Sequence, residues 1–252
     1  MNKKQPMRIL DGVARPYEPF WSLRNAADSE SGETELDFYG PISEFSWFGD
    51  EITPALFKAD LYRAGDGGPV TIRINSAGGD VIAASVIRST IVDYPGRVTV
   101  RIDGLCASAA TFVAIAGDVV KMQDTGYFMI HDPWTFAWGT VDELRATIDL
   151  LKTVKEAIIE AYLTKSSLPA DKLSKMMNDE TWMSAKVAQE YGFVDEVIGG
   201  KRPPLQGAAN AALLNYVNLP EALQVYLQPA PPVEQQAAEK RLRAEAKLFC
   251  GG

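Results

Sequence analysis

The chain has 252 residues, 46% hydrophobic and 23% charged, enough to bury the core of one large domain or of one domain with appendages. Its net charge is −8, and the acidic excess lies in residues 1–199, which excludes generic nucleic-acid binding because that needs a positive footprint. No long apolar run offers a membrane span, Met1-Asn-Lys-Lys leads into no apolar stretch as a secretory signal would, and Cys106 and Cys250 stand in unlike settings, so a reducing compartment without a disulfide is expected.

Residues 1–34 are polar and without periodicity, and read as an N-terminal arm, partly disordered. Leu36-Asp-Phe-Tyr39 reads as a strand, and Gly40-Pro41 as a turn. Thr53 as cap and Pro54 at the first helical position predict a helix through Tyr62. The centre then alternates. Val70–Ile74, Val98–Ile102 and Asp118–Met122 read as strands. Asp80–Tyr94, stopped by Pro95-Gly96, and Ser108–Ala116 read as helices. This alternation predicts right-handed βαβ units on a mainly parallel sheet, an α/β fold.

Val141 to Thr164 reads as one helix about 36 Å long at 1.5 Å per residue. Val141, Leu144, Ile148, Leu151, Val154, Ile158 and Tyr162 form its apolar stripe, while Leu150, Ile159 and Leu163 lie off it. Apolar surface on more than one face predicts more than one neighbour, within the chain or from another subunit. Ser167-Leu-Pro-Ala-Asp171 begins a further helix, Thr181-Trp-Met183 is a short strand, and Ser184 caps a helix that ends at Gly192. Past Gly200 come two proline-containing linkers, Arg202–Gly207 and Pro229–Val233. An apolar segment, Ala208–Leu227, lies between them, and a charged helical stretch, Glu234–Leu248, follows. The expected organisation is an arm over 1–34, a catalytic domain over 35–199 and a tail over 200–252.

The chain has one histidine, His131, in Tyr127-Phe-Met-Ile-His-Asp-Pro133. Any imidazole chemistry must pass through it. Upstream, Ser108 sits among small residues in Gly104-Leu-Cys-Ala-Ser-Ala-Ala110 and opens an apolar helix. A serine needs a base to take its proton and backbone N–H groups to hold the oxyanion. The N–H of Ala109, at a helix start, is one candidate donor. The N–H of Gly79 in Asn75-Ser-Ala-Gly-Gly-Asp80 is the second, since paired glycines allow close backbone approach. The bland readings are a capping serine, a structural histidine and a plain Gly-Gly turn. Cys106 is a rival nucleophile, better read as a small buried apolar residue. No His/Cys/Asp/Glu group has metal-ligand spacing, no cofactor is expected, and no Walker-type loop is present, so any ATP dependence needs a separate partner.

Taken in order, these motifs resemble the proteolytic subunit of the Clp protease, from about Leu36 to Ile198. Asn75-Ser-Ala-Gly-Gly-Asp80 is similar to that family's Asn-Ser-Pro-Gly-Gly-Val. Gly104-Leu-Cys-Ala-Ser-Ala109 resembles its nucleophile segment, and Met129-Ile-His-Asp-Pro133 its Met-Ile-His-Gln-Pro. Trp182-Met-Ser-Ala-Lys-Val-Ala-Gln-Glu-Tyr-Gly-Phe-Val-Asp195 resembles its C-terminal signature. Phe45-Ser-Trp-Phe-Gly-Asp-Glu-Ile-Thr-Pro54 looks most like the phage-encoded branch, the head maturation proteases. Two departures are Ala77 in place of proline and Asp80 in place of an apolar residue.

The resemblance implies a ClpP/crotonase-like fold with a protruding handle helix, and a serine endopeptidase with Ser108 as nucleophile and His131 as base. The family's acid, an aspartate two residues before the signature aromatic, falls here on Glu180, with Asp179 adjacent as the other candidate. The resemblance also implies homo-oligomeric rings, two stacked heptamers meeting through the handle helix. A polypeptide substrate is implied, scaffold or capsid protein in the phage branch, with no nucleic acid and no membrane. The expected setting is the cytoplasm of the host bacterium or the phage prohead. The alternatives are a proteolytic subunit served by a separate AAA+ unfoldase, and an inactive capsid-assembly component that keeps the fold. A third, the related serine–lysine signal-peptide peptidases, is disfavoured by His131.

Overall fold

The alternating centre folds as an eight-stranded, mainly parallel sheet with helices packed on it. The computed structural model describes residues 7–10, 13–16 and 23–24 as strands, and residues 34–46, 51–199 and 216–224. In chain order the elements are β1 (Met7–Leu10), β2 (Val13–Pro16), β3 (Leu23–Arg24), β4 (Thr34–Tyr39), α1 (Pro54–Gly65), β5 (Val70–Ser76), α2 (Val81–Val92), β6 (Val98–Ala107) and α3 (Ala109–Ala114). There follow β7 (Val119–Gln123), β8 (Tyr127–Ile130), α4 (Val141–Leu163), α5 (Ala170–Asn178), β9 (Thr181–Ser184), α6 (Ala185–Glu190), β10 (Glu196–Ile198) and α7 (Glu221–Gln224).

The main path of the sheet runs β10-β7-β6-β5-β4-β3, and β8 and β9 branch from β6. Neighbours are parallel except β3 with β4 and β8 with β9. The long strand β6 makes the branch. Thr99–Ile102 pair with β7, whereas Leu105–Ala107 pair with β8. Its register against β5 shifts between Ile74 and Ser76. There Asn75 Oδ1 accepts a hydrogen bond from the Leu105 N–H at 3.0 Å and bridges the irregularity. The asparagine of the glycine motif is thus a structural brace.

Strand β5 is buried along its whole length, as expected of a central parallel strand. Val70, Ile72 and Ile74 face the apolar core. Arg73 points the other way and is also buried. Its Nε donates to Asp103 Oδ2 at 2.7 Å, and the Tyr39 hydroxyl donates to the same oxygen at 2.5 Å. Buried charges persist only when paired in this manner, so this network fixes the register of β4, β5 and β6.

Most helix starts follow the sequence signals. Thr53 Oγ1 caps α1, Asp80 Oδ1 accepts from Ala83 N at 2.8 Å to cap α2, and Thr140 with Glu143 forms a capping box on α4. The unusual Asp80 is therefore explained as a helix cap. Helix α1 runs a turn past Tyr62 to Gly65, where Asp66 takes a left-handed φ of 43°.

The arm is not uniformly irregular. β1 pairs antiparallel with β2, and β3 pairs with β4. The linkers Arg202–Gly207 and Pro229–Val233 and the stretch Glu234–Leu248 lie outside the described residues. The chain divides into two compact units, Met1–Asn218 and Leu219–Gly252, and Tyr216–Asn218 fall in the first.

Helix α4 is buried only near its C-terminal end, at Ile158, Ala161 and Tyr162. Val141, Leu144, Ile148 and Leu150 are exposed on the single chain. Among the described residues no helix is long and apolar enough to cross a membrane.

Candidate active site

Three neighbouring parallel strands, β5, β6 and β8, end at one edge of the sheet, the edge where α/β folds place their ligands. Each is followed at once by a residue singled out in the sequence. Ser76 ends β5 and Ala77-Gly78-Gly79 follow. Ala107 ends β6 and Ser108 follows. Ile130 ends β8 and His131 follows. Because Ala107 registers with Met129, the serine and the histidine leave the sheet side by side. His131 Nε2 lies 2.6 Å from Ser108 Oγ. The Ser108 N–H donates to the Met129 carbonyl at 2.9 Å, which fixes the turn.

Ser108 does not behave as a capping serine. Its φ is 54° and ψ −128°, and its side chain makes no cap hydrogen bond to α3. A helix cap has extended backbone and spends its oxygen on an N–H of the first turn. Here the first-turn bond to Thr111 N comes from the Ser108 carbonyl, which leaves the hydroxyl for His131. Left-handed backbone at a non-glycine residue costs stability and marks a position held for another purpose. Among the described residues three non-glycines have positive φ, Asp66, Ser108 and Glu180, and two of these are candidate site residues.

The glycine pair packs against this elbow. Gly78 has φ 91°, and a Cβ there would lie 2.8 Å from Ser108 Cβ and 2.9 Å from Ala109 N. Gly79, at φ 144°, would push a Cβ to 2.1 Å from the Ile42 carbonyl oxygen. Neither position tolerates a side chain. Gly78 abuts the serine directly, while Gly79 and Ala109 line the same cleft. Ser76 supports the loop: its Oγ donates to the Gly40 carbonyl at 2.6 Å and accepts from Gly78 N at 3.1 Å.

The candidate acid Glu180 directly precedes β9. Antiparallel pairing matches Ile130 with Thr181 at the end of the ladder. Glu180 and His131 are the next residues on the two strands, and the Glu180 carboxylate acts on the His131 charge. Asp179 falls one residue out of this register and bonds Lys175 Nζ at 2.6 Å instead. Burial pushes the His131 pKa below its usual value, against the opposing pull of Glu180 first and Asp132 second. Asp132 is itself paired with Lys155 at 2.8 Å. The Glu180 carboxylate accepts hydrogen bonds from Trp182 Nε1 at 3.2 Å, Val217 N at 3.0 Å and Asn218 N at 2.7 Å. Among the described residues no hydrogen bond joins it to His131.

The cleft around Ser108 encloses about 650 Å³. Phe112, Trp134, Leu151, Val154 and Ile158 give it apolar walls. Behind it, Thr111 Oγ1 and the Tyr162 hydroxyl lie 2.6 Å apart and pin α4 to α3. The sequence reading missed Tyr216, whose ring stands edge-on to His131 at 5.6 Å and to Trp182 at 5.6 Å. Its hydroxyl donates to the Ala77 carbonyl, and the residue lines the cleft that holds Ser108. No periodicity or motif ties Tyr216 to residues so far upstream, so the sequence held no signal for it.

Cys106 is fully buried in β6, and burial pushes its thiol well above the usual range. It stays protonated and out of reach of substrate. Among the described residues no group of three His, Cys, Asp or Glu could hold a metal ion.

Comparison with known proteins gives one consistent result. The family described as Clp protease matches residues 51–201. The chain is 30% identical over 200 residues to the "ATP-dependent Clp protease proteolytic subunit" of Bacteroides fragilis, a match covering 75% of this chain and 97% of that one. It is 31% identical over 131 residues to "ATP-dependent Clp protease proteolytic subunit 2" of Thermobifida fusca, covering 51% of this chain and 64% of the relative. Among solved structures, a ClpP1 mutant from Listeria monocytogenes matches with a TM-score of 0.54 and 25% identity, over 66% of this chain and 92% of that one. The expected ClpP-like α/β fold is the observed one.

Proposed function

The chain belongs to the Clp protease family, and on that premise we propose that it is a serine endopeptidase acting through Ser108 and His131. The observation that carries the reading is the 2.6 Å contact between Ser108 Oγ and His131 Nε2 on a serine held at positive φ. In this reading neutral His131 takes the hydroxyl proton as Ser108 attacks a peptide carbonyl. The N–H groups of Gly79 and Ala109 receive the oxyanion, and Glu180 stabilises the imidazolium. His131 then returns the proton to the leaving amine, and water releases the acyl group by the same route. An inactive assembly component would have no reason to keep a strained serine on an imidazole.

For the biological setting, the names of the relatives favour a proteolytic subunit that works with a separate AAA+ unfoldase. The phage head maturation reading rests on the motif Phe45–Pro54, the unlike leader and the long C-terminal segment, and takes second place. A serine-reactive fluorophosphonate should label wild type at Ser108 and leave Ser108→Ala unlabelled. Absence of labelling in wild type overturns the peptidase reading. Degradation of a folded reporter only when ATP and an unfoldase are added supports the first setting. Specific cleavage of purified scaffold or capsid protein without ATP supports the second.

We also propose assembly into stacked rings through α4. The supporting observation is apolar surface left in water on the single chain: Ile148 is 52% exposed and Trp138 88% exposed. Ile159, off the apolar stripe, packs partly against the core, so a charge there would threaten the fold itself. Ile148→Glu is the cleaner variant. Sedimentation should show wild type as a large oligomer and Ile148→Glu as smaller species with an unchanged circular dichroism spectrum. A monomeric, fully active wild type contradicts the proposal.

A further inference from the structure

We infer that the segment Tyr216–Asn218 is an internal inhibitor of this site, its phenol ring walling the Ser108 cleft beside His131 and its backbone amides engaging Glu180. The inference rests on the serine peptidase reading above and concerns its regulation.

Six contacts point the same way. The Tyr216 ring stands edge-on to both His131 and Trp182, with interplanar angles of 86° and 83°. Its hydroxyl bonds the Ala77 carbonyl, a backbone acceptor next to the glycine pair that an extended substrate would otherwise meet. The N–H groups of Val217 and Asn218 supply two of the three hydrogen bonds to Glu180. Asn218 Nδ2 adds a bond to the Asp179 carbonyl at 3.0 Å. One short segment therefore touches the candidate base and the candidate acid and lines the cleft that holds Ser108.

The pose is that of an occupant and not of a substrate. The part of this segment that lines the Ser108 cleft is a phenol, which has no bond a serine can cleave. The amides at 217 and 218 face Glu180. The segment is also built to leave. Val217 is 87% exposed, and no apolar burial holds residues 217 and 218 in place. Because Glu180 carries these amides, release of the segment frees the carboxylate for His131 as well as opening the cleft. A site closed nine-tenths of the time shows an apparent kcat/KM about tenfold below that of the open form.

The test uses the full chain. Tyr216→Ala should raise the rate of Ser108 labelling by a fluorophosphonate, and kcat/KM for a short fluorogenic peptide, about tenfold or more. Val217→Pro removes one amide donor to Glu180 at an exposed position, and should raise both rates by a smaller factor. The imidazole proton signals of His131, the only ones in the chain, should shift in Tyr216→Ala as the edge-on ring is lost. Rates that stay level or fall in both variants, while wild type labels normally, overturn the inhibitor and leave the peptidase reading standing. Unmoved His131 signals overturn it too, because the ring is then not seated. Failure of wild type and of both variants to label at all removes the peptidase reading, and this inference falls with it.

Discussion

Ser108→Ala and His131→Ala should each lower kcat/KM at least ~10³-fold, with little change in the folded state. In the proposed mechanism the two residues, 2.6 Å apart, act as one proton-transfer unit, so losing either disables the whole unit. No second histidine exists to substitute. Cys106, the nearest other nucleophile in sequence, is buried and protonated. The structural cost is small. Alanine keeps the backbone of the elbow, including the bond from residue 108 N to the Met129 carbonyl, and the serine hydroxyl caps no helix. Both variants should keep the wild-type circular dichroism spectrum and melting behaviour. Full activity in His131→Ala refutes the mechanism outright.

The pH profile carries a sign. His131 acts as a base only when neutral, and burial lowers its pKa below the usual value while Glu180 and Asp132 oppose that shift. The rate should therefore hold at neutral pH and fall on acidification through a pKa below about 6.5, the ordinary imidazole value. An acid limb centred above that value would mean the carboxylates outweigh burial in the working enzyme.

The site was legible in the sequence to the extent that it rests on residue type. A single histidine and a serine in a run of small residues leave few choices. The alternating strands and helices of residues 70–122 announce parallel βαβ units because their periods differ. What was not legible depends on register. Tyr127–Ile130 is too short to distinguish a strand from a loop, yet its pairing with Leu105–Ala107 aligns Ser108 with His131. The Arg73–Asp103 network is invisible because a strand with polar residues at alternate positions reads as half-exposed, while here both faces are covered. The exposed half of α4 has the same stripe as its buried half, and only the folded chain separates them. Tyr216 reaches the site by tertiary placement alone.

Glu180→Gln should cost far more activity than Asp179→Asn, up to about 10⁴-fold in kcat if Glu180 holds the imidazole as a triad acid does. Residue spacing left these neighbours unresolved. The β8–β9 ladder ends at Ile130–Thr181, Glu180 is the residue next to that end, and it is Glu180 whose carboxylate pulls on His131. Asp179 is occupied with Lys175, and its loss removes only an exposed ion pair of small value. Glu180 also sits at a φ of 47° at the end of α5, where glycine or asparagine would be the easier choice. A glutamate kept in that conformation is kept for its carboxylate. Glutamine preserves size and can still accept from Trp182, so a large drop in kcat isolates the charge. The two variants should be compared in a Tyr216→Ala background as well, where the amides of residues 217 and 218 no longer compete for the carboxylate. A larger defect for Asp179→Asn in both backgrounds would place the acid one residue upstream and break the ladder argument.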